Sequence, residues 1–332
     1  MSENYDIDFV VPWVDGNDPE WIKEFNKYSP KERRIDIDTS EERYRDYGLL
    51  KYWFRGVEKF APWVRKVHFI TCGQKPEWLN LDNSKLHWVK HSDYIRTEYL
   101  PVFSSHPIEL GMRTIPDLAE HFVYFNDDFF LVAPVKKEFF FKKKLPCDSA
   151  ILNALSATKM SHIVFNDLLL INKTFDRNTV LKENFFKWMN PVYRTYLLRT
   201  ICLLPWKLFT GFHDPHWANS YLKSTLEEVW EKFPNELEST MKSRFRSDLD
   251  LNQWLFRYWQ LCKGKFIPQN PKKRKAYFDM TYPAEKICAA IKNPRIKEIV
   301  LNDNNVPDFE QKMKKITQAF QSILPEKSTF EI

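Results

Sequence analysis

Short apolar runs alternate with helical periodicities through the first 150 residues. Ile7–Val14 is apolar and β-branched and stops at Asp15-Gly16-Asn17-Asp18-Pro19, which predicts a buried strand and a turn. Glu20–Tyr28 predicts the first turns of a helix, and 29–42 a charged connection. Arg45-Asp46 opens a helix pattern in which Leu49, Leu50, Trp53, Phe54, Val57 and Phe60 recur at helical spacing, and Ala61-Pro62 ends it. Val67–Thr71 and Leu86–Val89 predict two more strands, Tyr99–Glu109 a loop, and Ile108–Leu118 a helix. Phe122–Phe125 predicts a central strand that runs into Asn126-Asp127-Asp128. Strands and helices alternating at this length predict an α/β fold, with a mainly parallel sheet covered by helices.

After about residue 150 the pattern lengthens and becomes helix-rich. Met160–Ile171 carries an apolar run, Tyr196–Phe209 predicts a core or interfacial helix, and Ala218–Phe233 an amphipathic one. Phe245–Leu261 places Arg246 and Ser247 ahead of an aromatic helix. Ile299–Asn304 repeats the theme of an apolar strand ending in Asn-Asp, and Phe309–Ile323 predicts a last helix. The division is thus 1–150, an α/β core, and 151–332, a helix-rich segment that returns to it.

Composition removes several classes. Aromatics make up 16% of the 332 residues but glycines number only 7, and no GxGxxG or GxxxxGK[ST] occurs. Five scattered cysteines without a CxxC pair argue against a zinc site or a disulfide framework and fit a reducing cytoplasm. The first residues lack the pattern of a signal peptide, and no run of 18 apolar residues occurs. The net charge of +6 suits an anionic partner. Lys272–Lys275 is too short and isolated to predict nucleic-acid binding. Phe139–Leu145 joins an aromatic knob to a basic run, either a solvated edge or a membrane-surface patch.

The candidate chemistry sits at strand ends. Asp127 and Asp128 lie among rings, where charge calls for a cation or ligand, although an Asn/Asp turn explains them too. They can meet one ion only if the strand ends and turns there. Asp15 stands where α/β sheets bind ligands, and equally where a turn would use it. Glu109 and Arg113 are four apart, which predicts one helical face. Gly211–His216 (GFHDPH) offers His216 as a proton carrier, a loop cap being the alternative. Arg246 offers a planar fork for an anion, or a stem lying over aromatic surface.

Four long blocks occur in order: IDFVVPWVDGNDPEW, RYRDYGLLKYWFRGVEKFAPWVRKVHFITCGQKPEWL, VFSSHPIELGMRTIPDLAEHFVYFNDDFFL, and PRIKEIVLNDN with GFHDPH and FRSDLDLNQWL ahead of it. Together they resemble the Stealth family of sugar-phosphate transferases, in its short bacterial form. Where relatives often carry a further acidic residue before the leucine, this chain reads Asp46-Tyr47-Gly48-Leu49-Leu50. The resemblance implies transfer of a hexose 1-phosphate from a UDP-sugar to a glycan hydroxyl, with release of UMP. It implies Asp128, His216 and Arg246 as catalytic residues, and Asp15, Gly16, Arg45, Glu109, Arg113 and Asn302 as substrate-binding. It implies Mg2+ or Mn2+ on Asp127, Asp128 and Asp303. It also implies a lipid-linked acceptor at the inner face of the plasma membrane, and with Phe139–Leu145 and residues 184–209 this prompts the expectation of peripheral membrane association. Two rivals stand beside it: a metal-dependent glycosyltransferase releasing UDP, and a carbohydrate-binding module.

Overall fold

Eight strands position the site. In chain order they are β1 (Ile7–Pro12), β2 (Val67–Thr71), β3 (Leu86–Lys90), β4 (His121–Tyr124), β5 (Phe129–Leu131), β6 (Asn219–Leu222), β7 (Lys275–Asp279) and β8 (Glu298–Asn302). The computed structural model describes residues 5–29, 37, 38, 44, 48–158, 161–304 and 306–332. The main sheet runs β3-β2-β1-β4-β6. Its first four strands are parallel, and β6 lies antiparallel against β4. A second, three-stranded sheet runs β7-β8-β5, with β7 parallel and β5 antiparallel to β8. The fold is α/β.

Both faces of the main sheet are covered, and the strand period shows why. Phe9 and Val11 of β1 join Trp53, Phe54 and Phe125 in one core, whereas Val10 joins Phe122, Tyr124 and Tyr221 in another. Each such side chain contributes roughly 1.5–3 kcal/mol on burial. The helix Leu50–Phe60 packs on the first core and ends at Ala61, as its spacing predicts.

Several elements differ from expectation. The helix expected over Ile108–Leu118 instead spans Ser105–Gly111, starting inside the expected loop because Ser104 Oγ accepts the His106 N–H. It tightens into a 3-10 turn at Met112–Thr114. The amphipathic helix expected over Ala218–Phe233 begins only at Lys223, because Asn219–Leu222 is the buried strand β6. The Gln260 side chain accepts the Leu222 N–H and donates to the Ser220 carbonyl, which holds β6 extended. Within Tyr196–Phe209 only Leu197–Cys202 is α-helical, and most of the following residues face solvent, so this stretch is no core helix. In Phe139–Leu145 the Phe140 and Phe141 rings are core, and Lys143 and Lys144 turn a tight hairpin with positive φ. Lys275 of the KKRK run points inward, 2.8 Å from the buried Glu298.

Candidate active site

Chain order reverses between β1 and β4: β2 and β3 lie on one side of β1, and β4 on the other. Ligands of open α/β sheets lie outside the carboxyl ends of strands at such a point. Here those ends open into a cavity of about 490 Å³, walled by Trp13 and Val14 after β1 and by Asn126 and Asp127 after β4.

The chain turns at Asp127-Asp128, so the two carboxylates are not forced onto opposite faces of a strand. The Phe129 N–H donates to the Asn126 carbonyl (3.1 Å), and the Leu301 N–H donates to the Asp128 carbonyl (3.0 Å). That second bond draws the end of β8 alongside, which brings Asn302 into the cavity wall and leaves the Asp303 carboxylate oxygens buried. His216, also in the wall, has Nε2 3.8 Å from Asp128 Oδ2, and its ring meets Phe129 edge-on at 4.8 Å. At that separation the pair is electrostatic rather than hydrogen-bonded.

A buried polar network fixes the loop that carries His216. Arg257, on the helix Trp254–Cys262, pairs with Asp148 and with Asp214, each at 2.8 Å, and donates to the His213 carbonyl. Tyr258 Oη donates to Asp214 at 2.5 Å. Burial raises the Asp214 carboxyl to about 6 against the pull of Arg257. Burial also lowers the neighbouring His213 imidazole to about 4. His213 is therefore a neutral wedge, and His216 is the histidine of this loop that reaches the cavity.

The opposite wall comes from the helix Ser105–Gly111 and the segment before the helix Trp254–Cys262. Glu109 is buried there, with Oε2 accepting the Gln253 N–H at 3.2 Å and Oε1 3.5 Å from Tyr124 Oη. Arg246 lies in a two-residue strand paired antiparallel with Ile37–Asp38, and its guanidinium donates to Ser105 Oγ at 3.0 Å. The aromatic helix thus begins well after Arg246 rather than directly behind it. His106 also lines the cavity, with Nδ1 2.8 Å from Asp250 Oδ2. Asp250 further accepts the Ser247 N–H, which ties the Arg246 strand to the Glu109 helix.

Three conserved regions of Stealth proteins match this chain: region 1 at residues 5–33, region 2 at 43–148 and region 3 at 215–259. The chain is 42% identical over its whole length to the capsular polysaccharide phosphotransferase WcwK of Streptococcus pneumoniae, covering 99% of that protein. It is 40% identical to the exopolysaccharide phosphotransferase cps2G of Lactiplantibacillus plantarum, over 99% of this chain and 97% of the relative. It is likewise 40% identical to the receptor polysaccharide phosphotransferase WefC of Streptococcus gordonii, over 98% and 99%. The chain belongs to the Stealth family. It is accordingly an enzyme of the transferase class.

In this Stealth chain the matched regions supply the cavity from separate places: region 1 brings the end of β1, region 2 Glu109 and the Asp127-Asp128 turn, and region 3 His216 and Arg246. The block around β8, which brings Asn302 and Asp303, lies outside the matched regions.

Other expected site residues fall elsewhere. Asp15 follows the cavity wall, and its Oδ1 accepts the Asn17 N–H at 2.9 Å, as a turn residue does. Gly16 is required by close packing, since a Cβ there would lie 2.3 Å from the Tyr44 carbonyl oxygen. Arg113 is parted from Glu109 by the 3-10 turn. It lies over the Trp230 ring at 4.6 Å in a separate groove with Arg96 and Glu238. Arg45 lies outside the described residues. His106, Asn252 and Gln253 also line the cavity, although their spacing in the sequence gives no sign that they share one wall. A metal cage made wholly of protein is not present among the described residues, where no three His, Cys, Asp or Glu side chains are placed to hold an ion. The aspartates at the Asp127-Asp128 turn instead fit a hard cation that takes one or two carboxylates and completes its shell with phosphate and water.

Proposed function

We propose that this Stealth protein transfers a hexose 1-phosphate, of the N-acetylglucosamine 1-phosphate kind, from a UDP-sugar to a hydroxyl of a glycan acceptor in capsular or other cell-surface polysaccharide synthesis. The acceptor oxygen attacks the β-phosphorus, the bond from that phosphorus to the bridging oxygen breaks, and UMP leaves as a phosphodiester forms. The observation that carries this reading is the convergence of Asp127, His216, Arg246 and Glu109 on one cavity at the carboxyl end of the sheet, with the Asp128 carboxylate 3.8 Å from His216.

In-line phosphoryl transfer asks for positioning and charge neutralisation rather than covalent help from the protein. His216 Nε2 accepts the proton of the attacking hydroxyl, and the Asp128 carboxylate at 3.8 Å stabilises the imidazolium that results. Arg246 presents its planar fork to the phosphate oxygens, steadied by its bond to Ser105 Oγ. Glu109, anchored by the Gln253 N–H, orients sugar hydroxyls. A divalent ion, Mg2+ or Mn2+, would be held by Asp127 and Asp128 and would neutralise charge on the diphosphate.

The acceptor is a lipid-linked glycan, and the enzyme works at the inner face of the plasma membrane as a peripheral protein. In keeping with that, no helix among the described residues is long and apolar enough to cross a membrane. Incubation with a panel of UDP-sugars and acceptor, with and without a chelator, tests the chemistry. Metal-dependent release of UMP is expected. UDP in its place would make the enzyme a glycosyltransferase, and no nucleotide from any donor would leave only a sugar-binding role.

A further inference from the structure

We infer that residues 197–208, with the outer face of the helix Ser161–Thr174, form the surface on which this protein docks to an anionic lipid bilayer. The inference rests on the reading of a lipid-linked acceptor and says which face of the molecule meets the lipid.

The segment is unusual first in sequence. Between Asn184 and Phe209 there is no Asp or Glu, whereas Lys187, Arg194, Arg199 and Lys207 are present. The same stretch is where large apolar side chains stay in water. Leu198, Ile201, Leu204, Trp206 and Leu208 are all exposed, Trp206 at 54% and Leu208 at 62%. Scattered single apolar residues on a surface need no explanation, but five exposed ones within eleven residues of chain point to an interaction site.

These side chains are not outside because the segment is loose. The buried Arg177 donates to the carbonyls of Leu203, Leu204 and Trp206, and Thr200 Oγ1 accepts the Leu152 N–H. Asn172 accepts the Phe209 N–H and donates to its carbonyl, both at 2.9 Å. The backbone is thus satisfied by interior polar groups, and a rigid scaffold presents the apolar side chains outward.

The surface leads to the site. Asn172 ties Phe209, next to Leu208, to the helix Ser161–Thr174, whose Phe165 and Leu169, one turn apart, are both about half exposed at 51%. Asn166 of that helix donates to the carbonyls of Asp248 and Asp250, which brackets Leu249, 85% exposed. Val164, between Ile163 and Phe165, lines the cavity itself. An apolar surface therefore runs from residues 197–208 along one helix to the rim beside Arg246, where an acceptor held in a bilayer would have to enter.

Charge complementarity selects the occupant. Arg194, Arg199 and Lys207 are exposed, and basic residues held near an anionic leaflet are drawn to it. Tryptophan beside them suits the headgroup region, where an amphipathic ring is favoured. The Phe139–Leu145 stretch offers no equivalent, because Phe140 and Phe141 are in the core.

Flotation of the full chain with vesicles tests the assignment, using phosphatidylcholine alone and phosphatidylcholine mixed with phosphatidylglycerol. Wild type is expected to float with the anionic vesicles and not with the neutral ones. The double variant Trp206→Ser, Leu208→Ser is expected to bind at least tenfold more weakly and to melt at the wild-type temperature, since both side chains are outside. No flotation of wild type, or equal flotation of the variant, would overturn the inference. So would a wild-type dimer in sedimentation that the variant converts to monomer, because the surface would then join two copies. UMP release to a water-soluble acceptor should be the same in variant and wild type. Nucleotide release without flotation removes the docking surface alone, and flotation without release removes the proposed reaction alone.

Discussion

His216 Nε2, in the cavity wall, and Asp128 Oδ2 stand 3.8 Å apart, although 88 residues separate them in the chain. Neither is held there for packing: the His216 side chain is 41% exposed, and Asp128 belongs to a turn. Replacing Asp128 with Asn or His216 with Ala should therefore leave thermal unfolding close to wild type. Nucleotide release should fall about a hundredfold or more, as when a group acting on transition-state charge is lost at ~2.7–4 kcal/mol. Near-normal turnover in either variant would remove that residue from the mechanism.

Arg257 should be the opposite case, since it does not itself line the cavity yet fixes the loop behind His216. Its guanidinium is shared by Asp148 and Asp214 in the interior. Arg257→Met leaves two buried carboxylates without their cation, and breaking such a pair costs about 3–5 kcal/mol. Urea unfolding should show that loss, and activity should fall even in the fraction that remains folded. A variant with wild-type stability would mean that the loop is held in some other way.

The elements legible in the sequence are those whose period the core enforces. β1, β2, β8 and the helices Leu50–Phe60 and Phe309–Ile323 all fall where alternation or helical spacing places them. The Asp127-Asp128 turn, His216 and Arg246 were visible as polar breaks in aromatic surroundings, and all of them reach the site region. Hidden from the sequence was what distant polar partners decide. β6 reads as the start of a helix because Asn219–Leu222 takes its extended form from β4 and Gln260. Arg113 sits four residues from Glu109, but one 3-10 turn at Met112–Thr114 sends it to Trp230. Arg257 looked like one more residue of an aromatic helix, because an ion pair across 43 residues leaves no periodic trace.

His213 and Asp214 are chain neighbours with opposite proton linkage. Burial lowers the His213 imidazole from 6.5 to about 4, so as pH falls through that window the unfolded chain takes up a proton that the folded chain refuses, and stability is lost. Burial raises the Asp214 carboxyl from 3.8 to about 6, so over that window the folded chain takes up its proton first, and stability is gained as pH falls. Relative to wild type, His213→Gln should become progressively more stable between about pH 7 and about pH 4.5, and Asp214→Asn progressively less. Urea unfolding at several pH values checks both. Parallel profiles for all three proteins would show that the two groups do not titrate as their burial requires.

Two arginines implied by the same family resemblance now separate on geometry. Arg246 lines the cavity and bonds Ser105 Oγ at 3.0 Å, whereas Arg113 lies over Trp230 in another groove. A lysine at 246 keeps the charge but presents a point ammonium in place of the planar fork, so it cannot reach Ser105 and two phosphate oxygens together. Arg246→Lys should therefore cut nucleotide release by about a hundredfold at saturating donor, with unfolding unchanged. Arg113→Ala removes a contact of the cation–π kind at a half-buried site, worth about 0.5–2 kcal/mol, and should lower stability by that amount while sparing turnover. The comparison turns on placement rather than on charge, because both variants affect one basic residue on neighbouring parts of the same molecule. If Arg113→Ala proved as damaging to turnover as Arg246→Lys, the groove beside Trp230 would have to communicate with the cavity, and the separation of the two sites would be lost.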